Sequence, residues 1–155
     1  MKLVQALVVK GGRVLLGRWK TGVFAGQISG CLGQVRAGAS PEEAAVEIAR
    51  SLTGLELDPR RFDRRALFTF HELDDQGAAE CTYHEHELLY DGDAHEPLVP
   101  VNTADFEPEW FEFDEIPFDQ MPEDDLHWYG RVLAGELMQG EPLPPLLYLS
   151  PSITP

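Results

Sequence analysis

The sequence predicts an α/β (α+β) domain in which a mixed β-sheet is sandwiched between helices. Three features point to it: apolar runs of strand length, a glycine-rich stretch after the first two of them, and two segments with apolar residues at helical spacing. The 155 residues suit one sizeable core. Residues 1–140 are assigned to the domain and residues 141–155 to a proline-rich tail.

Lys2 to Lys10 is rich in Leu and Val and reads as a buried strand. Lys10-Gly11-Gly12 makes a tight turn into a second strand, Arg13 to Gly17, so the two form a hairpin. Thr21 to Gly38 carries five glycines, a composition that lets backbone approach a ligand closely. A helix is expected over Pro41 to Thr53. Ser40 suits its N-cap, Pro41 its first position, and Glu43 closes a capping box with Ser40. Ala44, Ala45, Ile48, Ala49 and Leu52 give the apolar stripe, and Gly54 suits a left-handed stop.

Ala66 to Leu73 and Cys81 to Tyr90 read as strands joined by the turn Asp74-Asp75-Gln76-Gly77. Glu109 to Phe113 is a further short strand. Pro122 to Gln139 reads as a second helix, with Leu126, Tyr129, Val132, Leu133 and Leu137 on its buried face. From Gly140 to Pro155 five prolines and no helical pattern predict a tail that lies extended, packed or frayed.

The formal net charge of −15 disfavours nucleic acid as a partner, because an acidic surface repels the phosphate backbone. No apolar run reaches the roughly 20 residues of a membrane helix, and the first residues lack a signal peptide's apolar region. Two cysteines, Cys31 and Cys81, make no disulfide framework or metal spacing and suit reduced thiols. The expectation is a cytoplasmic protein, monomer or homodimer, with a small-molecule partner and no membrane.

Among the candidate site residues, Glu43 and Glu47 are four apart and share a helix face. Glu43 is also explained by capping. Glu85 and Glu87 alternate with His84 and His86, so each pair shares one strand face. That pattern suits a half-exposed strand better than a metal site. Phe24, Phe68 and Phe70 are candidates to line an apolar pocket, and Lys20, Arg18 and Arg36 to meet phosphate.

The order of hairpin, glycine loop and capped helix resembles the Nudix family, whose signature reads G-x5-E-x7-R-E-U-x-E-E-x-G-U with U apolar. The frame here is Gly33, Ala39 and Glu47-Ile48-Ala49-Arg50-Ser51-Leu52-Thr53-Gly54-Leu55. Spacing, glycines and apolar positions match. The carboxylates do not: Ala39, Ile48, Ser51 and Leu52 stand where the family has glutamates, and Glu47 where it has arginine. Trp110 to Phe118 and Met121-Pro122-Glu123-Asp124-Asp125 with Trp128 resemble the MutT-type enzymes that sanitise oxidised purine nucleoside triphosphates.

That resemblance implies a Nudix fold and a nucleotide ligand. It places Ser29, Asp124 and Asp125 against the base and Pro122 where the family stacks a tryptophan. Glu47 and Asp105 remain as candidate catalytic carboxylates, with Glu47 and Glu43 as metal ligands. The implied cofactor is Mg²⁺ or Mn²⁺ for an active enzyme and none for a binder. Mg²⁺ takes oxygen ligands, so losing the helix carboxylates removes its grip. The expected outcome is a nucleotide-binding domain whose pyrophosphohydrolase activity is weak or lost. The alternatives are an active hydrolase using displaced carboxylates, or an isomerase. Ile28-Ser29-Gly30 and Glu85-His86-Glu87 resemble the isopentenyl diphosphate isomerase branch, which uses a catalytic cysteine, and Cys31 lies near that position.

Overall fold

The computed structural model describes residues 1–93, 95–141 and, as backbone, 147–149. The strands are β1 (Lys2–Lys10), β2 (Arg13–Trp19), β3 (Ile28–Ser29), β4 (Cys31–Gln34), β5 (Phe62–Leu73), β6 (Ala79–Asp91), β7 (Phe106–Glu112), β8 (Leu137–Gly140) and β9 (Leu147–Leu149). The α-helices are α1 (Pro41–Thr53) and α2 (Tyr129–Leu133). All nine strands join one sheet, ordered β3-β2-β1-β6-β5-β8-β9, with β4 also on β1 and β7 also on β2. The sheet is mixed, as expected: β1 runs parallel to β6 and β5 to β8, and the remaining pairs are antiparallel.

The first hairpin closes on Gly11 and Gly12, both at positive φ (58° and 77°), the backbone that a two-residue turn between twisted strands requires. Helix α1 has the expected bounds. Ser40 accepts from the Glu43 amide, Glu43 reaches back to the Ser40 amide, and Gly54 stops the helix at φ 76°.

Alternation along β1 divides the core in two. Val4, Ala6 and Val8 pack with Ala45, Ala49 and Leu52 of α1. Leu7 and Val9 face the other way, into a second core with Phe68, Trp128, Tyr129 and Val132. The sheet therefore lies between α1 on one face and the C-terminal turns with α2 on the other.

One expected element differs. The helix read over Pro122 to Gln139 is a 3₁₀ turn at Glu123–His127, then the short α2, then strand β8. Gly135, at φ 97°, turns the chain out of helical geometry. The free edge of β5 then takes Met138 opposite Ala66. Leu126, assigned to the buried face, is 63% exposed. Of the tail, Leu147–Leu149 pairs with β8 as a strand, while residues 142–146 and 150–155 lie outside the described residues.

Candidate functional site

The sheet face opposite α1 carries a cleft lined by Leu3 and Gln5 of β1, Phe24, Ser29, Leu32, Phe70 of β5, Tyr83 and Glu85 of β6, and Pro122, Asp124 and Asp125. The parallel register sets Leu3 opposite Glu85 and Gln5 opposite Glu87, which brings residues 82 positions apart onto one surface. The 3₁₀ turn Glu123–His127 delivers the two aspartates from above. The cleft is narrow, about 60 Å³. It shares Phe70 and Asp124 with a broader groove of about 610 Å³ along the β5–β6 hairpin. The groove alone falls within the roughly 300–1,000 Å³ of ordinary ligand sites.

The polar wall is a buried hydrogen-bonded network. Gln5 Nε2 donates to Glu87 Oε2 at 3.0 Å and, more weakly, to Glu85 Oε2 at 3.5 Å. Gln5 Oε1 accepts from the Gly30 amide at 2.9 Å and from the Tyr129 hydroxyl. Ser29 Oγ accepts from Trp19 Nε1 at 2.8 Å and donates to the Gly30 carbonyl at 2.7 Å. Trp128 Nε1 donates to Asp124 Oδ2 at 3.0 Å. Glu87 Oε1 and Asp125 Oδ2 are buried with no donor to accept from, the situation of a carboxylic acid that keeps its own proton.

The electrostatics agree. Burial, and then the Asp124 and Glu85 charges, push Asp125 up to about 9. Burial, and then the neighbouring Glu85 charge, hold Glu87 well above the carboxylate range. Burial also raises Glu85, and it raises the Tyr129 phenol well above its ordinary value. At neutral pH, Asp125 is therefore a neutral acid, able to donate as well as accept.

The loop and helix of the Nudix frame lie apart from this network. Ile48 packs against Gly33 and joins the α1 core with Ala39, and Leu52 is buried there. Ser51 is exposed. Glu47 binds Arg36, Oε1 to Nη2, at 2.9 Å, and that hydrogen bond, before the Arg36 charge, lowers its pKa. Glu43 is held in the capping box. Among the described residues, no group of three or more His, Cys, Asp or Glu is arranged to hold a metal ion. Apolar Ile48 and Leu52, with one neutral hydroxyl between them, do not fit a divalent ion that requires several oxygen ligands.

Of the residues singled out in sequence, the structure brings Phe24, Ser29, Phe70, Asp124 and Asp125 together in the cleft. Phe68 is instead fully buried in the core. Lys20 and Asp105 stand outside the cleft: Lys20 Nζ donates to the Thr103 carbonyl at 2.8 Å, and Asp105 accepts from the Thr21 hydroxyl at 2.6 Å. Arg18 donates to the Gly26 carbonyl at 2.8 Å. Gln5, Tyr83 and Tyr129 were not identified as site residues, and Glu87 was weighed only as part of the His84 to Glu87 strand pattern. The half-exposed strand expected over His84 to Glu87 is present: His84 is exposed, while the face that carries Glu85 and Glu87 is the buried one, covered by the layer that holds α2. Cys31 is fully buried, and burial pushes its thiol up to about 12, which leaves it protonated and poorly nucleophilic.

The sheet order, the capped helix after a glycine loop and the ligand-sized groove on the opposite face define a Nudix-type α/β sandwich. The chain is 34% identical over 141 residues to the oxidized purine nucleoside triphosphate hydrolase of Danio rerio, an alignment that covers 89% of this chain and 83% of that protein. It therefore belongs to the MutT-type Nudix hydrolase family. No protein-family model matches it. The fold superposes on the MutT protein of Bacillus halodurans with a TM-score of 0.68, at 16% identity, over 96% of this chain and 94% of that one. It also superposes, with a TM-score of 0.60 and 16% identity over 86% of this chain and 40% of that one, on a bifunctional NMN adenylyltransferase/ADP ribose pyrophosphatase of Francisella tularensis complexed with AMP and a manganese ion. No helix among the described residues is long and apolar enough to cross a membrane.

Proposed function

We propose that the domain binds a nucleoside triphosphate, or a related compound built on a nucleoside diphosphate, in the acid-walled cleft and adjoining groove. On this reading its metal-dependent pyrophosphohydrolase activity is weak or lost. One contrast carries the proposal. Carboxyl groups converge where a base would sit, while the helix positions that should grip a divalent ion hold Ile48, Ser51 and Leu52. The name of the Danio rerio relative supports an oxidised purine as the base. Aromatic Phe24, Phe70 and Tyr83 suit a flat ring, and a neutral Asp125 beside Asp124 offers one donor and one acceptor to its edge. Without the metal, the polyphosphate loses the polarisation that drives cleavage. A deficit of about 4 kcal/mol slows the reaction about a thousandfold.

The test is a panel of nucleoside triphosphates, oxidised purines included, and ADP-ribose, each with Mg²⁺ or Mn²⁺. Thermal stabilisation and pyrophosphate or phosphate release are read together. The expected result is a rise in melting temperature with at least one nucleotide and little turnover. Absence of stabilisation across the panel would falsify the binding reading. Rapid turnover abolished by Glu47→Gln or Asp105→Asn would instead establish displaced-carboxylate catalysis.

A further inference from the structure

At the far end of β1 from the cleft, a separate pocket of about 420 Å³ opens between the first hairpin, the loop after β6, and β7. Lys10, Gly11, Arg13, Gly92, Leu98 and Trp110 line it. Alternation along β1 puts Lys10 on the face of Val4, Ala6 and Val8, against α1, and not on the face of Gln5. Lys10 also lies five residues along the strand from Gln5, a rise of about 17 Å. The pocket is therefore distinct from the cleft, and its volume falls in the range of small-molecule sites.

The charge of its walls is the reverse of the cleft's. The lining holds two cations and, among the described residues, no carboxylate. The acids nearby are turned elsewhere. Glu96 offers Lys10 only its carbonyl, while its carboxylate accepts from Arg61 at 2.6 Å and from the Tyr90 hydroxyl at 2.8 Å. Glu112 Oε1 stands 3.9 Å from Arg13 Nε, too far for a hydrogen bond, in a pair exposed to solvent and hence weak.

Lys10 and Arg13 are direct partners across the hairpin. Like charges directly opposite destabilise a strand pair, and an anion seated between them removes the repulsion. Their two charges match the dianion of a phosphate monoester at neutral pH. The chain's net charge of −15 opposes an anion only at long range, since salt screens charges beyond about 8 Å. Beside the cations stands an apolar wall. Trp110, opposite Leu15, is half-buried on the same face of the sheet, and Leu98 is buried next to it. A Cβ at Gly92 would stand 2.6 Å from Leu98 Cδ1 and 3.0 Å from the Val9 carbonyl, so glycine lets the loop close and hold Leu98 there. An indole face beside apolar side chains suits a flat ring.

We infer that this pocket is a second binding site, for a small molecule that joins a phosphate monoester to a flat ring. The phosphate lies between Lys10 and Arg13, and the ring packs on Trp110. The inference does not rest on the nucleotide reading of the cleft.

The probe is 1-naphthyl phosphate, with 1-naphthol as the same ring without the charge. Neither carries a base or a polyphosphate. In the full chain with isotope-labelled tryptophan, Trp19, Trp110 and Trp128 each give an indole N–H signal, and Trp110→Phe assigns the relevant one. The expected result is a saturable shift of the Trp110 signal, with naphthyl phosphate at least tenfold tighter than naphthol. Lys10→Met and Arg13→Gln should each weaken binding at least fivefold. Affinity should also fall several-fold at pH 5, where the monoester holds one charge. A Trp110 signal unmoved at millimolar naphthyl phosphate overturns the inference. So do equal affinities for the two probes, or unchanged affinity in both variants. Any of these failures leaves the nucleotide reading as it stands.

Discussion

Ile48 lies over Gly33 so closely that a Cβ on the glycine would stand 2.7 Å from Ile48 Cδ1. The glycine loop and α1 are thus joined by an apolar contact at a position where the resembled enzymes carry a carboxylate. Returning glutamates at Ala39, Ile48, Ser51 and Leu52 should convert that contact into a metal site. The quadruple variant is expected to release pyrophosphate from a nucleoside triphosphate in Mg²⁺ about a thousandfold faster than the natural chain, the factor that regained stabilisation of about 4 kcal/mol supplies. It should also melt lower without metal, because Leu52 is 6% exposed in the α1 core, and recover part of that loss when Mg²⁺ is added. Unchanged activity, with no effect of Mg²⁺ on melting, would show that the missing carboxylates are not what limits the chain.

The N-cap of the same helix gives a stability prediction. Ser40 Oγ accepts from the Glu43 amide at 3.1 Å, and the Glu43 carboxylate returns a bond to the Ser40 amide at 3.3 Å. Ser40→Ala removes the first of these and should cost about 1 kcal/mol. In a chain of this length that is a fall of about 2–4 °C in thermal midpoint. Ser40→Asp keeps an acceptor and should restore most of the loss. A fall in both variants would mean that the cap bond is not the stabilising contact.

What the sequence disclosed follows from how local each signal is. Helix α1 was legible because Ser40, Pro41, Glu43 and Gly54 act within one turn of its ends. The first hairpin was legible because its glycines sit between two apolar runs. The second helix was misread because Tyr129, Val132 and Leu137 happen to keep helical spacing across Gly135. Only the exposed edge of β5, more than sixty residues earlier, decides that Leu137 to Gly140 is a strand. The site divided in the same way. Ser29, Asp124 and Asp125 were found through family resemblance and Phe24 and Phe70 through their aromatic character, and the fold assembles all five. Burial of Glu85 and Glu87 left no mark in His84-Glu85-His86-Glu87, a stretch polar on both faces, and depends on Gln5, Trp128 and Tyr129 arriving from elsewhere.

The buried acids set the direction of the pH dependence of stability. Asp125 has an ordinary value of 3.8 and stands at about 9 in the fold, with burial the main cause. Below about pH 4 it is protonated both folded and unfolded and carries no penalty. Between about pH 4 and pH 9 the unfolded chain ionises while the fold holds the proton, so stability declines as pH rises. Glu85 and Glu87, also raised, act in the same sense. Glu42 acts oppositely: the Arg64 hydrogen bond lowers it, so its contribution is present above the ordinary carboxylate range and is lost as pH falls through its folded value. The thermal midpoint should therefore peak in mildly acid solution and drop by several degrees by pH 8. Asp125→Asn, neutral at every pH, should flatten the alkaline limb and melt higher than the natural chain at pH 8. A midpoint that rises from pH 5 to pH 8 would refute a protonated Asp125.

The two cysteines should separate cleanly in reactivity. Cys81 lies exposed on β6, whereas Cys31 on β4 has no solvent exposure. Burial pushes the Cys31 thiol up to about 12, so at pH 8 almost none of it is thiolate, and the thiolate is the nucleophile. An aromatic disulfide reagent should therefore titrate one thiol per folded chain and two after denaturation in urea. Cys81→Ser should reduce the folded count to none. Labelling of Cys31 should then proceed only at the rate at which the sheet opens, and it should slow if a nucleotide stabilises the fold. Rapid native-state labelling of Cys31 in Cys81→Ser would instead mean that a reagent reaches β4 through the closed protein. That outcome would reopen the cysteine-dependent isomerase chemistry that the burial of this thiol argues against.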